Sequence, residues 1–138
     1  MPGERVAILA RTTYNLVNLD AAKSQDFVLV KTQDVRGFRE GTLLVRVHAY
    51  TIAQADAKFE VRARTTAPSQ EDPLRDYLSS SADLASITIN NTLTAPTLLK
   101  AGLGSNFGSF LRVYLRGTQG AVWSTLSVTV SVELVLKE

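Results

Sequence analysis

The chain has 138 residues, 45% of them apolar and 20% charged, with a formal net charge of +2. That length closes one hydrophobic core without staples, and the composition is that of an ordinary globular domain. With no cysteine and a single histidine, a disulfide framework, a thiol nucleophile and a thiolate metal site are excluded, and almost no ligand set remains for a transition metal.

The N-terminal stretch MPGERVAILARTTY sets Glu4, Arg5 and Arg11 around a short apolar run. That run is too short for the core of a signal peptide, and no later segment approaches the ~18 apolar residues of a membrane helix. We therefore expect no export signal, no transmembrane segment and no membrane partner. Residues 1–12 read either as a first strand or as an arm that orders on contact. Apolar runs at 5–11, 14–19 and 26–32 follow as candidate strands.

Period-two alternation then becomes explicit. In GTLLVRVHAYTI, Leu43, Val45, Val47 and Ala49 oppose Leu44, Arg46, His48 and Tyr50. In AKFEVRART, Phe59, Val61 and Ala63 oppose Lys58, Glu60, Arg62 and Arg64. Both fit antiparallel strands with one face in a core and one in water. Residues 67–83 are acidic, with Glu71, Asp72, Asp76 and Asp83 against Arg75. Within them EDPLRDYL places Asp72 as an N-cap and Pro73 at a first helical position, which predicts a short helical turn over 73–78.

ASITIN (85–90) and TLLKA (97–101) read as short strands, separated by an Asn90-Asn91-Thr92 turn. GLGSNFG at 102–108 lacks the Lys-Ser/Thr ending of a phosphate loop, so its glycines mark an inter-strand loop. In FLRVYLRG, Phe110, Arg112, Tyr114 and Arg116 alternate with Leu111, Val113 and Leu115. TLSVTVSVELVLK closes the chain with Leu126, Val128, Val130, Val132, Leu134 and Leu136 on one face and Ser, Thr and Glu on the other. Eight or nine such strands with turn signals between them predict an all-β fold. We expect a single-domain antiparallel β-sandwich over 1–138, of jelly-roll type.

His48 has no recognisable nucleophile or paired carboxylate beside it in the pattern, and the acidic pairs follow no metal-loop spacing. The chain therefore reads as non-enzymatic, with no catalytic residue, no cofactor and no metal. The feature that asks for an explanation is the set of arginines and aromatics at polar strand positions: Arg46, Arg62, Arg64, Phe110, Arg112, Tyr114 and Arg116. Three readings compete for it. The arginine stems can simply cover a solvated sheet. They can form a protein-contact face, where Arg and Tyr are enriched. They can bind nucleic acid, a reading the small net charge and Glu60 and Glu133 disfavour. If the set is a contact face, charge reversal at Arg112 and Arg116 abolishes assembly and leaves a folded monomer.

The stretches DFVLVKTQDVRGFREGTLLVRVHAY, FEVRARTTAPSQEDP and FLRVYLRGTQGAVWSTLSVTVSVELVLKE together resemble the small β-sandwich accessory proteins of bacteriophage particles, the capsid decoration or cement type. The resemblance lies in strand rhythm and composition. It implies a structural protein of the virion, made in the host cytoplasm. It further implies contacts with copies of itself, often as a trimer, and with a capsid or other shell protein, and docking that is lost when residues 1–12 are removed. The alternative is a carbohydrate- or ligand-binding sandwich module, for which Trp123 is the natural stacking residue.

Overall fold

The computed structural model describes residues 4–66, 83–104 and 107–138. Eight strands run through them: β1 (Glu4–Asn15), β2 (Ser24–Asp34), β3 (Glu40–Ile52), β4 (Lys58–Thr65), β5 (Ala85–Ile89), β6 (Thr97–Gly102), β7 (Phe110–Thr118) and β8 (Leu126–Lys137). The expected helical turn over 73–78 lies outside the described residues.

The strands form two four-stranded antiparallel sheets, sheet A in the order β1-β8-β3-β6 and sheet B in the order β2-β7-β4-β5. This order has a simple origin. Antiparallel pairs join β1 to β8, β2 to β7, β3 to β6 and β4 to β5, as in one long ribbon folded back on itself. Further pairing of β3 with β8 and of β4 with β7 rolls that ribbon into two facing layers. A rolled eight-stranded ribbon of this kind is the jelly roll.

The core lies between the layers. Sheet A contributes Leu43, Val45 and Val47 and the row from Leu126 to Leu136; sheet B contributes Phe59, Val61, Ile87, Ile89, Leu111, Val113 and Leu115. The alternation read from the sequence places these side chains inward because successive strand residues point to opposite faces. Gly117 marks the tightest approach, since a Cβ there would collide with Leu16 and press on Phe59. One end of the sandwich gathers the β1–β2, β3–β4, β5–β6 and β7–β8 loops. The β2–β3 and β6–β7 loops meet at the other end, where Val35 N–H bonds Ser109 O at 2.9 Å.

Three expectations need correction. The runs at 5–11 and 14–19 are not two strands: Glu4–Asn15 is one strand, carried past register shifts between Ala7 and Thr12, and Leu16 already leaves it. Because β1 is hydrogen-bonded along β8, residues 4–12 belong to the sheet, and deleting 1–12 tests folding rather than docking. Finally, a register shift between Val47 and Ala49 inserts an extra residue at His48. A bulge of this kind exchanges the two faces of a strand. Tyr50 therefore turns inward with Ile52, away from Arg46 and His48, and packs on the core with its hydroxyl donating to Leu93 O.

Candidate interaction surfaces

The predicted arginine–aromatic set divides between the two outer faces. Arg62, Arg64, Arg112, Tyr114 and Arg116 come together on sheet B, because β4 and β7 pair with Glu60 opposite Arg116, Arg62 opposite Tyr114 and Arg64 opposite Arg112. Phe110 sits at the start of the same strand, under the Arg36 guanidinium at 5.1 Å. Arg46 is on sheet A, across the sandwich.

The sheet B cluster is an internal polar network. Asp83 accepts from Arg62 Nη1 at 3.2 Å, from Arg64 Nε at 2.9 Å and from the Tyr114 hydroxyl at 2.8 Å. Glu60 accepts from Arg62 Nη2 at 2.7 Å, and Lys58 lies 3.8 Å from its other oxygen. Arg116 forks onto Asp26 at 2.7 and 3.1 Å, across the β2–β7 pair. The Tyr114 ring lies between two guanidiniums, Arg64 at 5.6 Å and Arg116 at 5.7 Å, within cation–π range.

Burial makes this network matter. Glu60, Arg112 and Tyr114 are only 6%, 7% and 5% exposed. Burial raises the Tyr114 pKa, and the hydrogen bond to Asp83 adds to the rise. For Arg62, burial opposes the charge, but the bonds to Glu60 and Tyr114 outweigh it and raise the pKa further above its ordinary value. Charged groups removed from water persist only when paired and hydrogen-bonded. Within FLRVYLRG, Tyr114 and Arg116 are thus answered by carboxylates of the same molecule, while Arg112 Nε donates to Lys31 O at 3.4 Å. Reversing the charge of Arg112 would put a carboxylate at a buried position, so that substitution perturbs the fold as well as any contact.

The outer face of sheet A has a different character. Arg46 is exposed, and its cross-strand neighbours are Ser131 on β8 and Leu98 on β6. It makes no ion pair among the described residues. Arg5 and Arg11 on β1 and Lys100, opposite Leu44 on β6, add positive charge, and Glu133 is drawn to Arg5 at 3.4 Å. His48 Nε2 lies 3.1 Å from Ser131 Oγ. Desolvation lowers the His48 pKa, and the charges of Arg11 and Arg46 lower it further. Arg5, Leu44, Arg46, Leu98, Ser131 and Glu133 line a shallow hollow of about 70 Å³.

A third feature, at the loop end, was legible only as an isolated tryptophan. Gln119 is 2% exposed, and its side-chain amide donates to Leu16 O at 3.2 Å and to Ser124 O at 2.8 Å, tying the β1–β2 loop to the β7–β8 loop. Asp56 of the β3–β4 loop accepts from Ala121 N–H at 2.9 Å. These bonds hold Val17, Val122 and Trp123 at 52%, 63% and 48% exposure. Trp123 is therefore a rim residue and no part of the core. Asn90 Oδ1 caps its own turn by accepting from Thr92 N–H and Oγ1–H at 3.1 and 2.6 Å.

An eight-stranded jelly roll with two differently charged outer faces is the class this geometry defines. No protein-family model matches the sequence, and no curated protein matches it either. Among solved structures, a chain in the structure of the Gx strain of infectious bursal disease virus is similar, with a TM-score of 0.51 and 7% identity. The match covers 97% of this chain and 31% of that one, so this chain spans under a third of the viral chain's length. The likeness is one of fold. It does not single out the bacteriophage decoration class.

Proposed function

We propose that the protein is a non-enzymatic structural component of a virus particle, acting through protein–protein contacts with copies of itself and with a shell protein. The observation that supports this most is the likeness of fold, at a TM-score of 0.51 over 97% of this jelly roll, to a chain from a virus structure. A capsid decoration or cement role is the narrower form of the proposal, with a closed symmetric oligomer, a trimer in the simplest case, as its assembled state. The contacts belong on surfaces that remain accessible, which are the sheet A face around Arg46 and the loop end around Trp123, rather than on the buried sheet B network. Light scattering of the purified protein across concentration and salt tests the proposal. A closed oligomer supports it, and a monomer that neither self-associates nor co-sediments with any particle overturns it.

One observation favours the second reading, a carbohydrate-binding module. Trp123 is held half-exposed on a loop pinned by a buried glutamine, as a stacking platform would be. Tyr14 and Tyr50 pack against the core and Tyr114 is buried, so the row of exposed aromatics that sugar binding usually wants is not found among the described residues. A Trp123 fluorescence titration with glycans decides for or against this reading.

A further inference from the structure

We propose that the hollow around Arg46 on the outer face of sheet A is a binding site for a carboxylate carried on an apolar stem, an aspartate or glutamate side chain flanked by apolar residues on an acidic protein partner. The inference does not depend on the virion assignment. It starts from the difference between this arginine and those of the other sheet. Arg116 has Asp26 directly across the strand pair, and Arg62 has Glu60 on its own strand. In the same two kinds of position Arg46 has only Ser131 and Leu98 across the strands, and Leu44 and His48 along its own. Among the described residues the carboxylate beside it on this face is Glu133, which lines the same hollow and is drawn to Arg5 at 3.4 Å.

The lining chemistry then selects the ligand. The guanidinium of Arg46 offers a planar fork suited to a carboxylate. His48 Nε2 lies 3.1 Å from Ser131 Oγ, and in the neutral tautomer that donates Nε2–H to this oxygen the serine hydroxyl proton is free for the same anion. Leu44 and Leu98 are the apolar residues lining the hollow, and Leu98 is 47% exposed, apolar area that an incoming stem would cover. A carboxylate with one or two methylenes is of the size that roughly 70 Å³ admits. Arg5, Arg11 and Lys100 surround the site and favour approach of an acidic surface.

A phosphate backbone fits less well. Leu44 and Leu98 give the hollow an apolar part, which a phosphate would not cover. The bulge at His48 has also turned Tyr50 inward, so among the described residues this face offers no Phe, Tyr or Trp on which a base could stack.

The test is methyl and arginine side-chain NMR on the full chain. It uses a blocked pentapeptide with glutamate between two leucines, the same peptide with glutamine in its place, and a short DNA duplex, all at one ionic strength. The glutamate peptide should shift Leu44, Leu98 and Arg46 Nε together. The glutamine peptide should bind about tenfold more weakly, as should the glutamate peptide to Arg46→Ala. Arg116→Ala, on the outer face of the other sheet, should retain the shifts and serves as the folded control. Equal binding of both peptides, stronger displacement of the same resonances by the duplex, or no shift at millimolar peptide overturns the proposal.

Discussion

The two outer faces of the sandwich place the same residue type at the same kind of position and treat it in opposite ways. On sheet B the arginines are drawn into a partly buried network in which Asp83, Glu60 and Asp26 supply the counter-charge. On sheet A, Arg46 stands over a hollow with serine and leucine for neighbours. The first arrangement holds β4, β7 and residue 83 together. The second contributes little to folding and leaves binding capacity unused. An arginine at an outward strand position therefore says nothing about contact until the carboxylates within its reach are known.

Substitutions sharpen this contrast by their cost. Asp83→Ala strips one carboxylate from two guanidiniums and a tyrosine at a site that is 14% exposed. We expect a loss of about 3 kcal/mol in urea unfolding, because breaking a buried charge network strands its partners. Arg62→Ala leaves Glu60 buried with the longer contacts to Lys58 and Ser86, and the same measurement should show a loss of about 2 kcal/mol. Arg116→Ala breaks the fork on Asp26, where both side chains are about a third exposed or more, and solvent limits the cost to under about 1 kcal/mol. Arg46→Ala should change stability by less than about 0.5 kcal/mol. A cost at Arg46 matching that at Arg62 would erase the distinction between the faces.

The smallest effect concerns pH. The folded pKa of His48 lies below its ordinary 6.5, so the unfolded chain binds that proton more tightly. This group's contribution to stability is therefore complete above pH ~6.5 and declines as pH falls below it. His48→Gln should flatten that part of a melting-temperature profile measured between pH 5 and 8, and Arg46→Ala should flatten it in part, since desolvation is the larger cause.

Much of the candidate surface could be read before the fold was known. The alternation in AKFEVRART and FLRVYLRG put Arg62, Arg64, Arg112, Tyr114 and Arg116 on outward faces, where the structure finds them. Nothing in either stretch could reveal that β4 and β7 are neighbours, because that pairing joins residues about fifty positions apart. Asp83 read only as the end of an acidic segment for the same reason. The inward turn of Tyr50 was hidden because a bulge is one extra residue in a register set by the partner strand β8. Gln119 gave no signal, since its importance lies in two carbonyls from separate loops.

What the sequence determined by itself is the local conformation and the sidedness. Period-two patterning, β-branched residues and turn chemistry act over a few residues, so they specify strands, the all-β class and which side chains face a core. The tertiary structure alone decided which strands share a sheet, and hence which charges meet. Sheet membership follows from how the four-pair ribbon rolls, a choice governed by packing between residues distant in the chain. That choice neutralised one arginine face and left Arg46 on the other with its charge unanswered.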